Sequence, residues 1–99
     1  MDRVGPDRRG APRFRLELLV EWEGGTGITR DVSVGGVYFV TQQTFSLGAP
    51  LECTLLFEHL DPGQPVRLHC RGQVVRVESV DGKTGVAVAI TAYRVATPE

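Results

Sequence analysis

The 99-residue sequence has a single lysine, little charge imbalance and no long hydrophobic run. Its apolar stretches fall well short of the roughly 18 residues that a membrane-spanning helix requires, and no hydrophobic leader opens the chain. We therefore predict neither export nor a membrane span, and a cytoplasmic location is expected by default. The formal net charge is -1, whereas general nucleic-acid binders are usually basic. This balance argues against nucleic acid as a partner.

Cysteine and histidine are also scarce, with two of each. Cys53 and Cys70 lie in runs that alternate apolar and polar residues, which predicts small buried side chains with inert thiols. Together with His59 and His69 they do not match the spacing of a zinc site. No nucleophile with a base, no pair of carboxylates and no phosphate-binding loop occurs at a usable spacing. The sequence therefore predicts neither an enzyme nor a metal site.

Helical periodicity is missing, and frequent turn signals divide the chain into short β-type runs. After Gly72 the apolar alternation slips to Val75 and Val77, which predicts a β-bulge. Closing a sheet removes the unpaired edges that promote aggregation, so the fold class expected is all-β, a six-stranded antiparallel β-barrel. The predicted strands cover residues 18–22, 28–32, 36–41, 50–57, 66–80 and 85–90, followed by a short tail from residue 92.

The first residues differ from the rest in charge and in periodicity. Residues 1–8 are polar and contain Gly5 and Pro6, which predicts a flexible N-terminal arm before a barrel domain of residues 9–99. Five of the ten arginines, but only two acidic residues, fall within the first fifteen positions. On its own, such a cluster is most often a solvated basic tail.

A polar turn lies farther along the chain, at residues 31–36. Asp31 and Ser33 could cap this turn through their own backbone, with Gly35 and Gly36 supplying positive φ angles. The first hairpin predicts where the turn lies. If the hairpin turns near Gly25, facing positions sum to about fifty, so Ser33 lies near residue 17 and Gly36 near residue 14. The polar turn then sits beside the arginine cluster.

These two groups of residues have complementary chemistry. A guanidinium donates two parallel hydrogen bonds to a phosphate or to the O6/N7 edge of guanine. A carboxylate such as Asp31 accepts from the N1–H and N2–H of guanine. A site formed by both groups is therefore suited to a guanine nucleotide.

The pattern Arg9-x-x-x-Arg13 followed by Asp31-x-Ser33-x-x-Gly36 resembles the bipartite signature of the PilZ domain family, and no motif position departs from it. That family binds the bacterial second messenger cyclic di-GMP. The resemblance implies a PilZ-like split barrel, with arginines that clamp phosphate and guanine and with Asp31 and Ser33 on the base edge. The resemblance implies Arg9, Arg13, Asp31, Ser33 and Gly36 as ligand-binding residues. With the neighbouring Arg8 and Gly35, the candidate ligand-binding residues are Arg8, Arg9, Arg13, Asp31, Ser33, Gly35 and Gly36.

Arg8 adds a third guanidinium directly before the motif. An arginine plane can stack on a base as well as donate to it. Cyclic di-GMP can self-associate as an intercalated dimer, and the resemblance to PilZ-like proteins implies that a basic residue at this position holds two stacked copies. We therefore expect two copies of cyclic di-GMP per chain, and no other cofactor.

Three function classes stay open, and they make different demands on the sequence. The favoured one is a cyclic di-GMP receiver that transmits the messenger level to an unidentified protein partner. A ligand-independent PilZ-like adaptor would be expected to have degraded motif positions, which this chain lacks. A small-barrel binder of single-stranded nucleic acid needs exposed aromatics among basic residues, whereas Trp22, Phe39 and Phe57 are predicted to face inward.

Overall fold

The computed structural model of the chain describes residues 13–58 and 65–96. These residues form six β-strands and no helix. Each strand pairs antiparallel with its neighbours in the order β1-β2-β3-β6-β5-β4, and the sheet closes into a barrel. The predicted all-β fold class, a six-stranded antiparallel barrel, is confirmed, while the arm at residues 1–8 lies outside the described residues. The strands are β1 Leu19–Trp22, β2 Gly25–Ser33, β3 Gly36–Thr41, β4 Pro50–Phe57, β5 Val66–Val80 and β6 Lys83–Ala96.

Alternation along the strands fills the barrel interior. Fully buried Phe39 lies 5.0 Å, between ring centroids, from Trp22, and Phe45 packs edge-on against both rings. The indole N–H of Trp22 donates to Gln43 at 2.7 Å, so its polar end is satisfied at the surface. Phe57 is half-buried against the same core, and the inward positions predicted for Trp22, Phe39 and Phe57 are confirmed. Each fully buried large apolar side chain contributes about 1.5–3 kcal/mol.

The first hairpin turns earlier than predicted. Trp22 pairs with Gly25, so the turn consists of residues 23 and 24, with Gly24 at a φ of 99°. The predicted centre near Gly25 is wrong because Gly24 supplies the positive φ at the second position of the turn, a conformation that glycine adopts without steric cost. As a result Phe14 faces Val32 rather than Gly36.

Strand β6 is longer than predicted. It continues to Ala96 and pairs with the first half of β5, so the short tail expected from residue 92 is wrong. Backbone hydrogen bonds hold this end of the strand while Tyr93 and Val95 stay exposed at 62% and 57%. Without a buried face, residues 91–96 carry no periodic apolar signal that sequence reasoning can detect.

The irregularity predicted in β5 is confirmed, and it occurs twice. The register with β6 shifts between Arg71 and Gly72 and again between Val74 and Arg76. Inward alternation continues as far as Val74, which is buried, while Val75 is 53% exposed. Val75 therefore lies on the outer face of the barrel at the second bulge.

Candidate functional site

The segment before β1 is fastened to β2 by backbone and side-chain hydrogen bonds. The N–H groups of Phe14 and Val32 each donate to the other residue's carbonyl at 2.9 Å. Deeper in the barrel, the hydroxyl of buried Thr29 donates to the Leu16 carbonyl and accepts from the Leu18 N–H, at 2.5 and 2.9 Å. Residues 14–18 therefore run along β2, and Arg13, directly before them, lies beside the polar turn.

A bulge in β2 decides which way the polar motif faces. The register with β3 shifts between Thr29 and Asp31, and beyond the shift Asp31 faces Tyr38 while Ser33 faces Gly36. Val37 between these β3 positions is buried. Because neighbouring side chains alternate across a strand, Asp31, Ser33 and Tyr38 lie on the outer face of the barrel.

Gly36 does not have the backbone conformation predicted for it. The glycines with positive φ among the described residues are Gly24, Gly48 and Gly82, so the positive φ expected at Gly35 and Gly36 is wrong. A Cβ added at Gly36 would lie 2.9 Å from the Val88 carbonyl oxygen. Gly36 thus permits a close approach of β3 to β6. Because it has no side chain, the outer surface of the barrel has a depression at this point.

Both parts of the motif line one shallow groove of about 160 Å³ on the outer face of the barrel. Arg13, from the segment before β1, contributes an exposed guanidinium, and Arg8 and Arg9 lie outside the described residues. The structure therefore brings together the predicted site residues that it describes. The predicted residues on the groove are Arg13, Asp31, Ser33, Gly35 and Gly36.

Other residues of the groove were missed by sequence reasoning. Ala87 and Ala89 of β6 have small side chains beside Gly36, and Tyr38 and Val75 also line the groove. The alternation of side chains along β3 would have been enough to place Tyr38 on the same face of the sheet as Asp31. The contributions of β5 and β6 depend on strand pairings between distant parts of the chain, for which the sequence gives no direct signal.

Tyr38 is held by contacts with β5. Its hydroxyl donates to Glu78 at 2.5 Å, and the Arg76 guanidinium lies 5.6 Å from the ring centroid. Arg76 in turn lies 3.6 Å from the Glu78 carboxylate. Partial burial, followed by the hydrogen bond and negative charge of Glu78, raises the pKa of Tyr38. The phenol therefore stays protonated and keeps donating at neutral pH.

A second cleft, of about 670 Å³, is lined by residues of β1, β4, β5 and β6 and contains none of the motif residues. Its charged side chains include Glu52 and Arg71, which lie 3.6 Å apart. Cys53 and Cys70 face each other across β4 and β5 along this cleft. Both are buried, as predicted, and their mutual hydrogen bond together with burial raises the pKa of Cys53.

Within residues 13–58 and 65–96, no three His, Cys, Asp or Glu side chains are grouped so as to hold a metal ion. The same residues include no helix with the length and apolar character needed to cross a membrane.

Comparison with known proteins agrees with this geometry. The model of the PilZ domain family matches residues 7–97. Among solved structures, the fold is similar to that of the Bacillus subtilis inhibitor of motility MotI/DgrA, with a TM-score of 0.73 and 16% sequence identity. That match covers 89% of this chain but 44% of the Bacillus protein, so this chain spans less than half of its length. No curated protein sequence matches. With nearly its whole length matched by the family model, the chain belongs to the PilZ domain family.

Proposed function

We propose that this PilZ domain is a receiver for cyclic di-GMP that transmits the level of the messenger to a protein partner. One observation carries the proposal: Arg13 and the Asp31–Gly36 turn, which are separated in sequence by a whole hairpin, line the same groove. Membership of the PilZ family supports the choice of ligand.

The groove offers the groups that a guanine nucleotide requires. The exposed Arg13 guanidinium donates to phosphate or to the O6/N7 edge of guanine. The half-buried Asp31 carboxylate accepts from the N1–H and N2–H of the same base. The low surface at Gly36 lets the ligand lie close to the backbone. Arg8 and Arg9, which come shortly before Arg13, are proposed to complete the clamp.

Two alternatives place different demands on the same barrel. A ligand-independent adaptor would have no reason to keep the full signature, whereas every motif position is present in this chain. A binder of single-stranded nucleic acid needs aromatic platforms along a basic groove. Phe14 and Tyr93 are the aromatic side chains that the described residues leave more than half exposed, and they pair with different strands, β2 and β5.

Calorimetric titration of the full chain tests the proposal. We expect saturable heat with cyclic di-GMP and much weaker heat with GMP or GTP, which have one guanine base and lack the ring of two phosphodiester links. The absence of heat from a protein whose circular dichroism shows a folded β-structure would contradict the receiver role and favour the ligand-independent adaptor. A cytoplasmic location remains the expectation for either role.

A further inference from the structure

Four outward positions form a row across the strands that surround the groove. Asp31 faces Tyr38, Tyr38 faces Ala87, and Ala87 faces Arg76. Directly opposed residues on antiparallel strands have Cβ atoms about 4.5–5.5 Å apart. A ligand group that reaches the Asp31 carboxylate therefore lies beside the Cβ atom of Tyr38.

The next row along the barrel has only small side chains on β2, β3 and β6, and it ends at Gln73 of β5. Ser33 faces Gly36, and Gly36 faces Ala89. The result is a depression bordered by Tyr38 on one side and open above. A planar ring fits such a space better than a branched or bulky group, because the floor is flat sheet backbone covered only by small side chains.

Tyr38 is held by contacts with β5 and β6 that do not involve a ligand. Its ring lies over Gly85, where an added Cβ would collide with the phenol oxygen. Glu78 accepts from the hydroxyl, and the Arg76 guanidinium lies near the ring. A side chain that is already ordered loses little rotamer entropy on binding, so its contact contributes more to affinity.

We propose that Tyr38 forms an aromatic subsite for a purine base of the bound dinucleotide, packing against the base whose edge meets Asp31. This inference rests on the proposed function and adds a residue outside the arginine and Asp-x-Ser-x-x-Gly motifs. Tyr38 and Asp31 would make different contributions to binding. The Tyr38 ring contacts any base, since every base has a π face, while the Asp31 carboxylate selects guanine. Arg76 and Glu78 act as positioning residues that hold the ring.

Calorimetry with cyclic di-GMP on single variants tests the subsite. Aromatic contacts with bases have large effects on alanine substitution, so we expect Tyr38→Ala to weaken binding about ten-fold or more. Tyr38→Leu, which keeps apolar cover over Gly85 without a π face, should lose a similar factor. Tyr38→Phe keeps the ring and should stay within about three-fold of the unaltered chain. Tyr93→Ala removes the other tyrosine, outside the groove, and should not change affinity.

Tyrosine ring resonances give a readout that requires no substitution. The chain contains two tyrosines, so with labelled tyrosine we expect the Tyr38 ring signals to shift on ligand addition while those of Tyr93 stay in place. Unchanged affinity in both Tyr38→Ala and Tyr38→Leu, with unshifted Tyr38 signals, would overturn the subsite and leave the receiver proposal standing. Failure of the unaltered folded chain to bind cyclic di-GMP would overturn both.

Discussion

Phe14 and Val32 exchange two backbone hydrogen bonds of 2.9 Å, and this short antiparallel bridge joins the two halves of the signature. It places the residue before it, Arg13, beside the outward side chains of the residues that flank Val32. The groove therefore depends on a junction outside the six main strands. Changes that loosen the junction should affect the ligand site more than the barrel.

Replacing Arg13 with alanine should weaken cyclic di-GMP binding by about ten- to a hundred-fold, because hydrogen bonds to charged groups contribute about 1.5–3 kcal/mol. Thermal stability without ligand should hardly change, since an exposed charge contributes about 0–1 kcal/mol to folding. Arg94→Ala, an equally exposed substitution on β6 away from the groove, is the matched control and should leave both properties unchanged. Early unfolding of the Arg13 variant without ligand would instead make this arginine structural.

Base selection should depend on Asp31. Its carboxylate offers acceptors to guanine N1–H and N2–H but would face the N1 acceptor of adenine, and such a mismatch costs about 1–3 kcal/mol. Competition calorimetry should therefore show a clear preference for cyclic di-GMP over cyclic di-AMP, reduced in Asp31→Asn because one acceptor becomes a donor. Equal affinity of the unaltered chain for both ligands would rule out this role.

Substitutions at Thr29 and Thr41 distinguish the effect of the junction on ligand binding from a general loss of fold stability. Both are buried, and each hydroxyl donates to a backbone carbonyl. Valine at either position should destabilise the fold by about 1–3 kcal/mol, because buried or partly buried backbone groups lose their partners. Thermal unfolding should detect both changes.

Ligand affinity should distinguish the two variants. Thr29 bonds to Leu16 and Leu18 in the segment that carries Arg13, so Thr29→Val should weaken cyclic di-GMP binding several-fold. Thr41 bonds to Thr26 at the other end of β3, so Thr41→Val should not. Equal affinities in the two variants would show that the segment does not position the clamp.

Local sequence was sufficient for part of the site, and long-range pairing decided the rest. The location of Asp31 and Ser33 beside the arginine segment could be predicted, because turn chemistry and motif spacing depend on residues that are close together in the sequence. Val75, Ala87 and Ala89 were not, because they reach the groove only through the β3–β6 and β5–β6 ladders and the second β5 bulge.

The register errors have a similar physical origin. A run of three glycines among residues 24–27 makes several hairpin turns sterically acceptable, and the turn at Gly24 is selected by the pairing of β1 with both β2 and β4. The bulge beside Asp31 then shifts the facing residues again. The two motifs meet despite both differences in register, because either register brings the segment before β1 alongside the polar turn.

Arg8 leads to a prediction about stoichiometry. If its guanidinium stacks on or donates to a second guanine, calorimetry at saturation should give two cyclic di-GMP molecules per chain, falling to one in Arg8→Ala. Binding should weaken with added salt because ionic contacts are screened. A ratio of one in the unaltered chain would remove the stacking role of Arg8 and leave a single-ligand site.

Mapping amide shifts on titration with cyclic di-GMP tests the location of the ligand site most directly. Both clefts include residues of β5 and β6, but the groove alone includes β2 and β3, and the larger cleft alone includes β1 and β4. We expect the largest shifts on Arg13, on residues 31–38 and on residues 87–89. Backbone amides around Glu52, Arg71 and Arg94, which line the larger cleft, should move little. Shifts concentrated at that larger cleft, with residues 31–36 unperturbed, would contradict the assignment of the ligand to the groove where the two motifs meet.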